Sequence, residues 1–281
     1  MTTPTEPDPR WNSQVEGPDI SHIEIEDDQP VDNMYSEKQQ RLLTESLYSS
    51  WPGPRSGEGG YRPFLATANV GVFATAHDPP LVPDVLVSVD VSVHPDAAHE
   101  KKHQTYFLWE MGKAPDVVIE VVSNKRGGEL GKRKRGYERM GVPYFVVWDP
   151  ERLLRERELM AYAISPSGYI PMTTGELSRL DGLSLRPWEG AYEGMVARWL
   201  RWFEGETLVA TGSERANAEQ QRADTEQQRA DTEQQRADTE QQRADAEQQR
   251  ADAEQQRADA EQQRANRLAA LLAAHGLSAD S

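Results

Sequence analysis

Cysteine is absent from the 281 residues, which excludes a disulfide scaffold, a thiolate zinc site and a cysteine nucleophile together. No run approaches the roughly 18 consecutive apolar residues of a membrane span. The opening MTTPTEPDPRWNSQVEGPD has no apolar stretch flanked by bases, so no signal peptide is expected, and a soluble, cytoplasmic protein is. A phosphate-cradling glycine loop is also missing. GGELGKRKR (127–135) lacks the GxxxxGK[ST] spacing, which disfavours nucleotide hydrolysis.

What is present is charge, unevenly spread. The whole carries a formal −16. Residues 1–33 hold nine acids and one base, residues 212–281 fifteen acids and nine bases, and residues 34–211 only two more acids than bases. An acidic whole argues against nucleic acid as a partner, but a near-neutral middle leaves room for a local basic patch. Three segments follow: a disordered acidic arm over 1–33, a folded domain over 34–211 that contains most of the aromatic and aliphatic residues, and a polar helix over 212–281.

Inside the folded domain, 37–51 has helical apolar spacing at Leu42, Leu43 and Leu47. Residues 64–75 are β-rich. The 81–93 segment alternates, with Asp84, Leu86, Ser88 and Asp90 on one face and Val85, Val87, Val89 and Val91 on the other. PDVVIEVVS (115–123) and YFVVWDP (144–150) read as buried strands, joined by a helix over 129–140 that Gly141 and Pro143 stop. Hairpins are expected around SPSG (165–168) and at Glu204–Gly205. The order predicts an α/β domain with a mixed central sheet.

From about 213 to 266 a seven-residue unit, RAD(T/A)EQQ, repeats. Ala223, Ala230, Ala237 and their successors form one stripe, but no second apolar position completes a coiled-coil seam. A long polar helix is expected, with self-association into a homo-oligomer through the alanine stripe and the Leu268–Leu272 tip.

Four carboxylates, Asp84, Asp90, Asp116 and Glu120, stand in or beside apolar strands, where an acid needs a partner or a cation. The strand bearing Glu120 leads into a basic stretch: Lys125, Arg126, Lys132, Arg133, Lys134, Arg135 and Arg139 oppose Glu129 and Glu138. His94, His99 and His103 share a charged segment without acids at ligand spacing and read as a solvated loop.

Pro83–Asp84, then Glu120, then a basic helix running into YERMGVPYFVVWDP together resemble the Uma-type restriction endonuclease family of the PD-(D/E)XK nuclease superfamily. The resemblance spans about 34–211. It implies a restriction-endonuclease-like core, a central four-stranded mixed sheet flanked by helices, and divalent-metal-dependent (Mg²⁺ or Mn²⁺) endonuclease cleavage of DNA. Carried over, Asp84, Glu120 and the Val121 carbonyl would hold the metal. Val122 stands where the superfamily pattern has lysine, and the helix position that replaces it in this family is Arg133. Arginine polarises water but shuttles protons poorly. Helix phase puts Lys134 on the flank of the buried face and Lys132 in solvent, so Lys134 is expected to bend towards the acids beside Arg133. The alternative is a non-catalytic interaction protein that keeps the nuclease fold and uses the helix as an assembly arm.

Overall fold

The computed structural model describes Asp19 and residues 33–274, apart from 58, 124–126 and 155–156. The acidic arm apart from Asp19 and Asn33, Lys125, Arg126 and the end of the polar helix therefore lie outside the described residues. One compact unit ends at Arg215 and a second begins at Ala216.

The helix α1 (Met34–Ser50) starts at Asn33, whose side chain accepts the Ser36 N–H at 3.0 Å. Its Leu42, Leu43 and Leu47 are fully buried. Short strands β1 (Arg55–Ser56) and β2 (Gly60–Tyr61) pair with each other, and β3 (Phe64–Ala68), β4 (Val72–Phe73) and β5 (Val85–Val89) follow. Then come β6 (Tyr106–Phe107), α2 (Leu108–Met111), β7 (Val117–Val121), α3 (Gly127–Met140) and β8 (Tyr144–Trp148). Hairpin strands β9 (Leu159–Ser165) and β10 (Gly168–Pro171) precede β11 (Glu176–Leu177), β12 (Leu183–Tyr192), β13 (Met195–Glu204) and β14 (Thr207–Leu208).

The central sheet is mixed, with order β10-β9-β8-β7-β5-β3. It has six strands where the resemblance implied four, because the 159–171 hairpin adds to the β8 edge. Only β7 and β8 run parallel, and α3 is their crossover. All five residues of β5, of β7 and of β8 are buried, as continuous apolar runs covered on both faces require. Val85, Val87, Ile119 and Val146 pack on one face with Leu43 and Leu47 of α1. Leu86, Val118, Phe145 and Val147 pack on the other with Tyr137 of α3.

The strict alternation expected to Val91 stops earlier. Asp90 takes a φ of +61°, so Val91 falls into the Leu86 cluster rather than with Val85, Val87 and Val89. Helix α3 ends where expected. Gly141, at φ +77°, donates to the Glu138 carbonyl and Val142 to the Tyr137 carbonyl, the two bonds of a Schellman cap.

A second sheet, β11-β12-β13-β14, was not foreseen beyond its last hairpin. Its long β12–β13 hairpin turns on Glu193 and Gly194, both at positive φ (+43° and +79°), the demand of a two-residue primed turn. Gln39 of α1 ties to it, with its amide both donating to the Leu200 carbonyl and accepting the Leu200 N–H.

Helix α4 (Gly212–Ala274) runs 63 residues. Thr211 and Glu214 form a capping box at its start: Thr211 Oγ1 accepts the Glu214 N–H, and Glu214 Oε2 accepts the Thr211 N–H. Each heptad carries its own bond from Gln to an Asp four residues on, from Gln220–Asp224 to Gln255–Asp259, at 2.7–2.9 Å. None of the described residues of α4 is buried. No helix among the described residues is long and apolar enough to cross a membrane.

Candidate active site

Strands β5 and β7 pair antiparallel, with Val85 opposite Ile119, Leu86 opposite Val118 and Val87 opposite Val117. One further step of this register sets Asp84 opposite Glu120. Directly opposed residues hold their Cβ atoms roughly 4.5–5.5 Å apart. Alternation puts both carboxylates on the Leu86–Val118 face, the face α3 covers. They are 8% and 4% exposed.

Each acid has its own clamps. Asp84 Oδ2 accepts the Val121 N–H at 2.5 Å, and Oδ1 accepts Gln40 Nε2 at 3.3 Å. Gln40 is fixed in turn by Asn69 Nδ2, which donates to its Oε1 at 2.8 Å. Asn69 sits at φ +54°, a conformation asparagine tolerates better than most residues, and its N–H donates to the Asp84 carbonyl. Across the ladder, Glu120 Oε1 accepts the fully buried Tyr137 hydroxyl at 2.8 Å, and Oε2 is ion-paired with Arg133 Nη1. Arg133 and Tyr137 are four residues apart, one turn of α3, so they reach the same acid.

Burial, and next the charge of Asp84, push the Glu120 carboxyl up to about 8, against the pull of Arg133 and the Tyr137 hydrogen bond. Burial and the Glu120 charge push the Tyr137 phenol well above its ordinary value. Burial works against the Arg133 charge, but the Glu120 carboxylate outweighs it and holds the guanidinium above its usual value. Two buried acids that resist joint ionisation are what a bound cation would relieve.

The donors fit a hard ion. In a strand the N–H and C=O of one residue point to the same side. The Val121 N–H faces Asp84 and the Val122 N–H faces Trp148 of β8, so the Val121 carbonyl lies on the Asp84 side. Among the described residues no three His, Cys, Asp or Glu side chains gather at one point. An ion here would draw on two carboxylates, one carbonyl and water, a donor set that suits Mg²⁺ or Mn²⁺.

The other singled-out residues sort differently. Asp90 pairs with Arg62 at 3.0 Å near the surface. Asp116, 2% exposed, accepts the Val89 N–H at 2.8 Å and Lys113 Nζ at 2.5 Å, which ties β5 to the start of β7. Removing that carboxylate strands a buried donor, so Asp116→Ala is expected to cost roughly 2–3 kcal/mol. Urea unfolding should show a lower midpoint with an unchanged slope.

Lys134 does not bend towards the acids. Its Nζ lies 3.4 Å from the centroid of the Tyr162 ring on β9, two strands away from Glu120. The flank angle read from helix phase was right for solvent access but ignored the aromatic face beside it, a favourable seat for an ammonium. Lys132 is exposed. His103 is also not solvated: it is 8% exposed and stacks on His94 with ring centroids 3.6 Å apart. Gln40 was not singled out, and Tyr137 was read as a motif and buried-face residue with no role at the acids. The helix phase, which sets Tyr137 on the buried face of α3, was the available signal for it, whereas nothing marked Gln40 in the six-residue polar run 36–41.

A mixed sheet with facing carboxylates on neighbouring strands, beneath a basic crossover helix, is a restriction-endonuclease-like fold. The sequence model of the Uma2 family, described as "Putative restriction endonuclease", matches residues 17–185. The chain belongs to that family. No curated protein and no solved structure matches it.

Proposed function

We propose that this protein is a divalent-cation-dependent endonuclease that hydrolyses DNA phosphodiester bonds at the Asp84–Glu120 pair. The observation that carries the reading is the register that opposes the two acids, with the Val121 carbonyl on the same side. A Mg²⁺ or Mn²⁺ ion at these donors would polarise a phosphoryl oxygen and acidify water. The chain's own residues do the rest. Gln40 and the Val121 N–H fix Asp84, and Tyr137 fixes one oxygen of Glu120. Arg133, whose side chain is 39% exposed, holds the other oxygen and can turn to a phosphate or orient the attacking water. Lys132, Arg135 and Arg139 are positioned on α3 for sequence-independent phosphate contacts.

One observation favours the alternative, a nuclease-like fold used as an interaction scaffold. Glu120 is ion-paired to an arginine, where the superfamily pattern would bring a lysine. Plasmid nicking in Mg²⁺ or Mn²⁺, with EDTA as control, separates the two. Wild type should cut only with the cation. Arg133→Lys should cut as fast or faster, because an ammonium is the better proton carrier. Lys134→Ala should stay within about threefold of wild type, since a part-buried cation–π contact that does not touch the acids is worth only about 1 kcal/mol. Cutting that ignores EDTA would exclude the proposed chemistry, and no cutting by any of the three would establish the scaffold reading.

A further inference from the structure

Next to the acid pair lies a cavity of about 400 Å³ that the proposed chemistry does not use. Leu65 and Thr67 of the edge strand β3 form one wall, with Val70. Tyr106, Met111 and His103 also line it. The cavity shares the face of the acids, because Leu65 and Met111 belong to the same apolar cluster as Leu86, Val118 and Tyr137. Thr67 pairs with Leu86, which is two residues from Asp84. One strand spacing and two residue rises set Thr67, which lines the cavity, roughly 8 Å from Asp84, backbone to backbone. That is the scale of a single nucleotide, from its phosphate to the far edge of its base.

The walls fit a flat group with apolar faces and polar edges. Leu65, Val70 and Met111 give apolar contact, while Thr67 supplies a hydroxyl and the exposed Gln104 an amide. No acidic side chain is among the lining residues. The His94–His103 stack, with planes 15° apart, shows that this wall already holds flat rings face to face. Burial holds the His103 imidazole below its ordinary value, so it adds no charge at neutral pH. The volume lies within the roughly 300–1,000 Å³ of small-molecule sites and is far too small for a duplex.

We propose that the cavity receives one nucleobase, unstacked from the DNA strand whose phosphate lies at Asp84 and Glu120. The inference rests on the endonuclease reading and adds a base-binding site to it. An enzyme that extrudes a base spends a few kcal/mol of stacking and pairing, and a fitted pocket returns it.

The test uses the full-length protein and short fluorescein-labelled DNA duplexes, with Ca²⁺ in place of Mg²⁺. 2-Aminopurine is placed at each position in turn. Anisotropy reads binding, and 2-aminopurine emission reads unstacking. Wild type should raise the emission several-fold at one position only. Ala97→Trp, which puts a large ring on a residue that lines the cavity, should abolish the rise while phosphate contacts keep the anisotropy change. Gln104→Ala, an exposed substitution that tolerates any folding defect of the tryptophan variant, should weaken the rise. Binding with no position rising, or a rise that both variants retain, would overturn the base site alone. No anisotropy change in wild type would overturn the endonuclease reading as well.

Discussion

Glu120→Gln is expected to abolish cation-dependent cleavage, by at least about a hundredfold, while the protein stays folded. The amide keeps the volume and can still accept from Tyr137 or Arg133, but it offers an ion no charge. The same variant tests the electrostatics of the site without any cation. In wild type the folded Glu120 releases its proton near pH 8, whereas the unfolded carboxyl does so near 4.5. Between those values the unfolded chain has lost a proton that the folded chain keeps, so rising pH favours unfolding. The stabilisation is complete below about 4.5 and gone above about 8, and its size is roughly 5 kcal/mol at the outside. Urea midpoints at pH 5.5 and 8.5 should therefore fall more for wild type than for Glu120→Gln. Equal pH dependence in the two proteins would show that Glu120 is not held protonated. Added Mg²⁺ should stabilise wild type more at pH 8.5 than at 5.5, because occupying the site means expelling that proton.

Truncation just inside the long helix has the next largest expected effect. Arg201 is 1% exposed on β13, and both its terminal nitrogens donate to Glu214, at 2.8 and 2.7 Å. Glu214 also completes the capping box with Thr211, and Gly212 donates to Glu45 of α1 at 2.7 Å. A chain ending at Ser213 loses the counterion of a buried guanidinium, a loss of roughly 3–5 kcal/mol. It should melt far lower or accumulate unfolded. A chain ending at Glu219 keeps Glu214 and should melt within a few degrees of the full protein, with the same plasmid nicking. Equal melting of the two truncations would show that Arg201 finds another partner.

The facing acids were legible because β5 and β7 are buried on both faces. An acid in such a run stands out, and strand pairing does the rest. The partners of those acids were less legible. Gln40 reaches Asp84 from a helix 44 residues away, and Asn69 reaches Gln40 from a residue at positive φ; neither leaves a periodic trace. Lys134 was misplaced because the phase of one helix says nothing of the Tyr162 ring on a neighbouring strand. The second sheet escaped because β12 mixes proline, glycine and charged residues in its exposed half, which hides its alternation. His103 looked solvated because its segment is charged, yet a charged segment still turns one ring inward. In the repeats, the recurring side-chain bond joins Gln to an Asp four residues on, a pair that the alanine stripe drew attention away from.

Because each repeat of α4 makes the same Gln-to-Asp bond to the next, the repeats act as the graduations of a ruler. Seven residues advance a helix about 10.5 Å and fall about 20° short of two full turns. Gaining or losing one repeat would move whatever follows by one fixed step and scarcely rotate it, and the same Gln-to-Asp bond would form across the new junction. Slippage of the repetitive coding sequence would thus produce a graded series of lengths, with the reach of the arm tuned separately from the chemistry of the folded unit.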